Sequence, residues 1–287
     1  AWLLSQRHRV TLYEAAPRLG GHTHTVDVTV DGITHPVDTG FLVFNHRTYP
    51  NLTALFAHLG VETAASDMSF AVSLLDRDFE WAGANLGTVF AQKRNAARPA
   101  FWRMLADILR FNREATCAAT SGLGGDASLG EFLERGRYGR TFRDWYLLPM
   151  AAAIWSCPTR TMLAYPFGTF ARFCHNHGLL QVENRPQWHT VRGGGREYVR
   201  RLAAHLTDVR TGTPVRAVDG LPGHFKVMTD HGTEAFDNVV LACHSDQALT
   251  LLSHPTEAER RILQALPYQP NRAVLHTDRR LLPRRQA

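Results

Sequence analysis

The feature that most constrains the fold is a short apolar run that ends in a carboxylate and is followed by two glycines. Residues 10–13 are apolar or strand-forming, Glu14 follows them, and Arg18, Gly20 and Gly21 come shortly afterwards. A carboxylate at a strand end can accept hydrogen bonds from ribose hydroxyls, and glycines let backbone N–H groups approach phosphate oxygens. The pattern predicts a nucleotide-binding edge. The alternative, a surface carboxylate after an edge strand, does not explain Arg18 and the glycine pair.

Composition indicates a globular chain with one large or two interleaved domains. Of its 287 residues, 44% are hydrophobic and 20% are charged, which is enough apolar material for a sizeable core. The net charge is +6, but most basic residues are scattered among acidic ones, whereas nucleic-acid surfaces cluster them with aromatic residues. We therefore expect no nucleic-acid partner. A polyanionic cofactor or an anionic membrane surface explains the basicity equally well.

Neither membrane insertion nor metal binding is indicated. No apolar run reaches the roughly 18 residues of a membrane span, and no signal peptide precedes the first strand, so we expect a cytoplasmic protein with at most peripheral membrane association. The pairs His22/His24 and His175/His177 have i, i+2 spacing but lack a third ligand at a companion spacing. The four cysteines form no C-x-x-C pair and are expected to be reduced thiols: Cys117, Cys157, Cys174 and Cys243.

Strand patterns occur at both ends of the chain and helical patterns lie between them. Alternation on either side of Asp31-Gly32 predicts a β-hairpin over residues 25–38. An apolar stripe predicts a helix from about Tyr49 to Gly60, and Ser128 with Glu131 forms a capping box in the mainly helical block over 85–177. Strands are predicted again over 188–191, 213–218 and 225–229. The run 236–243 reads as an apolar strand of a parallel sheet.

This order predicts an α/β protein with an inserted helical domain. Residues 1–60 and 188–250 are the two segments of a nucleotide-binding domain, and 61–187 form a substrate or cap domain. Residues 251–287 begin a further substrate-domain segment. Asp38-Thr39-Gly40 is also the tripeptide of aspartic proteases, but their mechanism needs two such carboxylates and the chain has one copy. The Gly193-Gly194-Gly195 run is open to two interpretations, a functional turn or a flexible loop before a helix.

Together these motifs resemble FAD-dependent oxidoreductases of the amine oxidase and phytoene desaturase type, and more closely a bacterial subgroup of predicted NAD/FAD-binding amine oxidases. The motifs follow the family's order over most of the chain: Glu14…Arg18-x-Gly20-Gly21, His22-Thr23-His24-Thr25, Asp38-Thr39-Gly40-Phe41 with Phe44-Asn45, Arg192-Gly193-Gly194-Gly195, and Val239-Val240-Leu241-Ala242. The resemblance implies FAD as cofactor, bound in a Rossmann-like FAD/NAD(P)-binding domain.

The resemblance also implies cofactor roles for the opening stretch. Glu14 would accept hydrogen bonds from the adenosine ribose hydroxyls. Arg18 and the backbone of Gly20 and Gly21 would lie along the ribose, pyrophosphate and ribityl stretch. His22 stands where many relatives carry an arginine that meets phosphate, so this sequence departs from the family pattern at that position.

Later residues would contribute to the same cofactor site. By resemblance, Gly40 and Phe41 would pass close to the flavin ring, the backbone of Val215 would contact the adenine, and Ala242 would close over the AMP half. The family's Gly-x-Gly-x-x-Gly turn and its C-terminal flavin segment do not occur in the sequence. We therefore expect the first strand and that turn to precede Ala1, and the 287 residues alone to bind FAD weakly or not at all.

The resemblance implies an oxidoreductase in which FAD takes a hydride from a C–N or C–C bond of a small-molecule substrate in a largely apolar pocket. No catalytic residue is identifiable from the sequence. Two alternatives stay open at this stage. One is an NAD(P)-dependent dehydrogenase, which Gly20-Gly21 after the ribose carboxylate disfavours. The other is a non-catalytic nucleotide-binding or interaction protein that keeps the fold.

Overall fold

The computed structural model describes residues 1–74, 77–122 and 125–285. The strands are β1 Thr11–Tyr13, β2 Thr25–Val30, β3 Ile33–Asp38, β4 Phe44–Asn45, β5 Thr63–Ser66, β6 Ala71–Leu74, β7 Phe79–Ala82, β8 Trp188–Val191, β9 Asp208–Arg210, β10 Val215–Leu221, β11 His224–Thr229 and β12 Gly232–Phe236. The α-helices are α1 Trp2–Ser5, α2 Pro50–Leu59, α3 Leu86–Val89, α4 Pro99–Ser121, α5 Leu129–Arg135, α6 Arg140–Phe142, α7 Leu148–Trp155, α8 Thr159–Leu163, α9 Phe167–Asn176, α10 Arg196–Ala203, α11 Ser245–Leu251 and α12 Glu257–Gln264.

The chain divides into two compact units. The first contains Ala1–Leu42, Leu55–Thr63 and Val191–Arg272. The second contains Val43–Ala54, Ala64–Thr190 and Ala273–Ala287. Each unit is therefore built from segments that are distant in sequence, because later parts of the chain return to pack against earlier ones.

In the first unit, β1 and β9 pair in parallel, with Leu12 opposite Val209. Parallel neighbours need a long crossover connection, and here the connection includes the segments Val43–Ala54 and Ala64–Thr190 of the second unit. The predicted strand over 10–13 is therefore confirmed. The predicted hairpin is confirmed as β2 and β3, and positive φ angles at Asp31 (51°) and Gly32 (77°) match the two-residue turn that favours this dipeptide.

The predicted apolar strand over 236–243 is wrong. β12 ends at Phe236, the following residues through Ala242 have no strand assignment, and Val240 is 71% exposed. A strand persists only where a neighbouring strand completes its hydrogen-bond ladder, and the part of the chain that the structure describes supplies no such neighbour for this run. β12 instead belongs to an antiparallel sheet in the order β10-β11-β12.

The second unit is mainly helical and packs around α4. Phe111 of α4 is buried and contacts the rings of Phe142, Phe167 and Phe170, which come from α6 and α9. The apolar period of α4 places such residues on one face, so the core follows directly from the sequence pattern. The predicted capping box is present, because Ser128 Oγ accepts from Glu131 N and Glu131 accepts from Ser128 N.

Among the described residues, no helix combines the length and hydropathy that a bilayer crossing requires.

Candidate functional site

Glu14 occupies the end of β1 and keeps part of its carboxylate free. Its backbone N–H donates to Arg210 O at 2.9 Å, and its carbonyl accepts from Thr213 N at 3.0 Å. One carboxylate oxygen accepts from Ala16 N at 2.8 Å. In the described part of the chain no donor reaches the other oxygen, and the side chain is half-buried. Glu14 is therefore held firmly by its backbone and can accept a further hydrogen bond.

The loop after Glu14 places Arg18 and the two glycines together. Arg18 donates to Gly21 O at 3.0 Å and to Thr23 O at 3.4 Å, so its guanidinium fixes the loop. Gly20 has a φ of +111°, and a side chain there would meet Thr23 O at 2.6 Å. Gly21 has a φ of +55°, and no atom of the described residues lies within 4 Å of the position of an added Cβ. The space beside the Gly21 backbone is therefore free among the described residues, whereas the Thr23 carbonyl fills the space beside Gly20.

Gly40 lies against backbone rather than facing empty space. An added Cβ would stand 1.7 Å from His22 O, so no other residue fits there without a shift of the main chain. The resemblance predicts that Gly40 passes close to the flavin ring. In the structure Gly40 approaches the carbonyl of His22. Gly40 and His22 therefore bring two segments into contact, both of which the resemblance assigns to cofactor binding.

Asp38 binds the start of helix α10. Its two carboxylate oxygens share one hydrogen bond from Gly195 N, at 2.9 and 3.1 Å, and one of them accepts from Thr25 Oγ1 at 2.6 Å. Thr25 Oγ1 in turn accepts from Arg196 N at 3.0 Å. The first N–H groups of a helix need acceptors, and here the β2–β3 hairpin supplies them. The Gly193-Gly194-Gly195 turn therefore serves to fasten α10 to the hairpin.

We expect replacement of Asp38 by asparagine to destabilise the protein by about 1–2 kcal/mol, since the amide offers one acceptor where the carboxylate offers two. Asp27→Asn is the matched control, because Asp27 lies on the same hairpin and forms an exposed ion pair with Arg196. Urea denaturation midpoints measure both variants. Equal midpoints for the two variants would contradict the role assigned to Asp38.

Three aromatic rings form a stack beside the predicted site. The rings of His22 and His244 lie 5.5 Å apart at 16°, and those of His244 and Tyr268 lie 4.2 Å apart at 7°. Tyr268 is also the acceptor for Ser245 N at 3.2 Å. The stack brings the chain around Ala242 to His22 although the predicted strand is absent. No sequence pattern indicates His244 or Tyr268, because only the fold makes them neighbours.

The remaining predicted residues occupy different positions in the first unit. Val215 is the first residue of β10, two residues beyond the Thr213 N–H that binds Glu14 O. Phe41 packs its ring edge-on against Tyr198 of α10, 6.1 Å between ring centroids. Phe41 is thus packed on α10, and Val215 follows a backbone contact of Glu14.

The side-chain amide nitrogen of Asn45 is a buried donor without an acceptor among the described residues. The sequence analysis includes Asn45 only as part of the Phe44-Asn45 motif. The residue is fully buried in the second unit, and its Oδ1 accepts from Arg47 N at 3.1 Å and Thr48 N at 2.9 Å. Its Nδ2 has no acceptor among the described residues. Such a donor costs free energy unless a further group accepts from it. Asn45 is therefore a candidate ligand-binding residue.

The cysteine and histidine candidates do not assemble into a nucleophilic or metal site. Burial raises the pKa of the Cys174 thiol to about 12, which keeps it protonated. His24 binds Thr39 Oγ1 at 3.1 Å, and His177 interacts with Tyr49 OH at 3.3 Å. Within residues 1–74, 77–122 and 125–285, no group of three His, Cys, Asp or Glu side chains could hold a metal ion.

The donor set of the first unit fits a dinucleotide that carries ribose and phosphate groups. Glu14 has a free acceptor for a ribose hydroxyl, Gly21 exposes backbone without a side chain, and Arg18 brings a cation to the same loop. Arg18 donates to Gly21 O, and Glu14 lies at the start of the same loop. His22 and Gly40 adjoin them through the carbonyl contact described above.

Comparison with known proteins bears on the family and the fold of the chain. A family model described as flavin containing amine oxidoreductase matches residues 1–286. The chain is similar to carotenoid phi-ring synthase from Streptomyces griseus, with 30% identity over 286 residues that cover 90% of this chain and 52% of that protein. The chain therefore spans about half the length of this curated relative.

Two solved structures share the fold. Cyclohexylamine oxidase from Brevibacterium oxydans IH-35A superposes with a TM-score of 0.68 at 14% identity, covering 91% of this chain and 59% of that one. A triple mutant of putrescine oxidase superposes with a TM-score of 0.66 at 17% identity, covering 92% and 59%. Both are proteins of mixed helices and sheets, as this chain is. With the family model matching nearly every residue, the chain belongs to the flavin-containing amine oxidoreductase family, whose cofactor is FAD.

Proposed function

We propose that this chain holds FAD through its first unit and forms part of an oxidoreductase that oxidises a C–N or C–C bond of an apolar or amine substrate. The observation that carries the proposal is Glu14, whose backbone is fixed and whose carboxylate keeps one oxygen free at the start of the loop that contains Gly21. When bound, FAD supplies the hydride acceptor for the reaction.

The proposal assigns a cofactor-binding role to each predicted site residue. Glu14 binds ribose hydroxyls, Val215 contributes backbone near the adenine, and Ala242 closes over the AMP half. The loop residues Arg18, Gly20, Gly21 and His22 hold the ribose, pyrophosphate and ribityl stretch, and Gly40 with Phe41 borders the flavin ring. Asp38 positions α10 and does not bind the cofactor, because Gly195 N and Thr25 occupy its carboxylate.

We also propose that the domains predicted from the sequence divide FAD binding from substrate binding. Residues 1–60 and 188–250 bind FAD, 61–187 surround the substrate, and 251–287 begin a further substrate-binding segment. The substrate classes are suggested by relatives: two carry the names of amine oxidases and one that of a carotenoid-ring synthase. The four free thiols are consistent with our proposal of a cytoplasmic location.

An absorbance spectrum tests the proposal. We expect protein purified from its full reading frame to be yellow with bound flavin, and the flavin to bleach anaerobically with one class among amines, isoprenoids and acyl chains. Absence of flavin after purification and reconstitution would contradict the proposal. Tightly bound flavin that no candidate substrate reduces would favour a non-catalytic nucleotide-binding protein instead.

A further inference from the structure

Basic residues are concentrated in one part of the second unit. Residues 93–113 contain six lysines and arginines and a single acidic residue, Asp107. Three of the six are engaged inside the fold: Arg110 binds Asp107 at 2.9 Å and lies over the Tyr138 ring, Arg98 donates to Asn95, and Arg94 forms an ion pair with Asp78. The other three are not used by internal ion pairs among the described residues.

Two of the available cations, Arg103 and Arg113, lie on α4 together with exposed apolar side chains, and Lys93 lies in the turn before the helix. Lys93, Arg103 and Arg113 are exposed, and in the part of the chain that the structure describes none of them has an acidic partner. Trp102 is 52% exposed and Leu109 is 59% exposed. We call outer α4 the surface formed by Leu86, Lys93, Trp102, Arg103, Ala106, Leu109 and Arg113.

Helical geometry places four members of outer α4 in one row. Trp102, Ala106, Leu109 and Arg113 follow one another at spacings of four, three and four residues, which places them in one row along the helix. At one end of the row the Trp102 ring lies 5.5 Å from that of Phe90. Phe90 N in turn binds Leu86 O one turn back in α3, and Leu86 is 79% exposed.

Exposed apolar side chains are unfavourable in water. A boundary that offers both apolar and anionic groups would stabilise the apolar and the basic residues of outer α4. Tryptophan favours membrane interfaces, because its ring is apolar and its N–H is polar. The Trp102 N–H already donates to Ala96 O at 2.8 Å, so the ring can enter an apolar layer without losing a hydrogen bond to water. Arginines beside it would meet lipid phosphates.

We propose that outer α4 docks the protein onto the surface of an anionic lipid bilayer. The charge complementarity and the adjacent apolar row support a lipid surface over a nucleic acid, which offers no apolar layer for Leu86 and Leu109. The protein then lies on the membrane and does not cross it. This proposal is independent of the redox reaction proposed above, because it uses none of the residues assigned to FAD.

Vesicle flotation with protein from the full reading frame tests this docking. We expect association with vesicles of phosphatidylcholine that contain about 30% phosphatidylserine, little association with phosphatidylcholine alone, and release at high salt. Arg103→Glu combined with Arg113→Glu should lower the partition coefficient at least about tenfold, because each cation near an anionic surface is worth about fivefold in binding.

Two further variants separate docking from altered folding. Arg160→Glu with Arg172→Glu makes the same charge change at exposed sites on α8 and α9 and should leave partitioning within about twofold. Trp102→Phe keeps a ring beside Phe90 and should remove most of the fluorescence quenching by brominated lipids. Circular dichroism and flavin content verify that each variant folds.

Three outcomes would overturn the proposal. The first is no association of the wild-type protein with anionic vesicles. The second is equal loss of binding in the outer α4 variant and in the Arg160/Arg172 control, which would indicate a non-specific charge effect. The third is binding of outer α4 to duplex DNA without binding to vesicles, which would identify a polyanion surface instead.

Discussion

Replacing Gly40 with alanine is expected to destabilise the first unit by about 3 kcal/mol or more, since the main chain must move to admit a side chain. The added Cβ would lie 1.7 Å from the carbonyl oxygen of His22, far inside contact distance. Neither partner is a flexible side chain that could move aside. The denaturation midpoint of the purified protein measures the effect, and FAD affinity should fall with it because Gly40 and His22 both border the proposed site.

Gly212→Ala is the matched control for this change. Gly212 lies in the same unit and has a φ of +61°, but no atom lies within 4 Å of an added Cβ. Only the cost of the left-handed backbone remains there, about 1 kcal/mol. If the two alanine variants were equally stable, the contact between Gly40 and His22 would not exist in the folded protein.

Glu14→Gln is expected to weaken FAD binding about tenfold to a hundredfold without unfolding the protein. Glutamine keeps an oxygen for Ala16 N but loses the charge that strengthens hydrogen bonds from ribose hydroxyls, a difference of about 1.5–3 kcal/mol. Titration of the flavin-free protein from the full reading frame with FAD, followed by flavin fluorescence, measures the dissociation constant.

Asp31→Asn provides the corresponding control, because it removes one negative charge in the same unit at the exposed tip of the β2–β3 hairpin. Asparagine tolerates the positive φ of that turn. Its FAD affinity should match that of the wild type. An unchanged affinity in Glu14→Gln would show that Glu14 is only a surface carboxylate, the alternative that its sequence context left open.

Local patterns were sufficient where neighbours in sequence decide the structure. Asp31-Gly32 predicts its own turn, and Ser128 with Glu131 predicts its own cap, because all the interacting groups lie within a few residues. The same holds for the link between Arg18 and Gly21 O, which spans three residues. Such contacts need no knowledge of the rest of the chain.

The apolar run after Phe236 shows the limit of local patterns. Its composition is that of a buried strand, yet Val240 is exposed and unpaired within the described residues. Apolar composition indicates that a segment can be buried. A strand needs, in addition, a specific neighbouring strand at hydrogen-bond distance. Likewise, nothing in the Asp38-Thr39-Gly40 tripeptide indicates that Asp38 binds Gly195, 157 residues later.

The sequence by itself determined the family, the hairpin and the loop that carries Glu14, Arg18 and Gly21, because these depend on residue type at short spacing. Only the tertiary structure decided that Asp38 fastens α10, that Gly40 rests on the His22 carbonyl, and that His244 stacks on His22. These contacts join segments that the chain separates, so their partners are fixed by packing and by hydrogen-bond satisfaction.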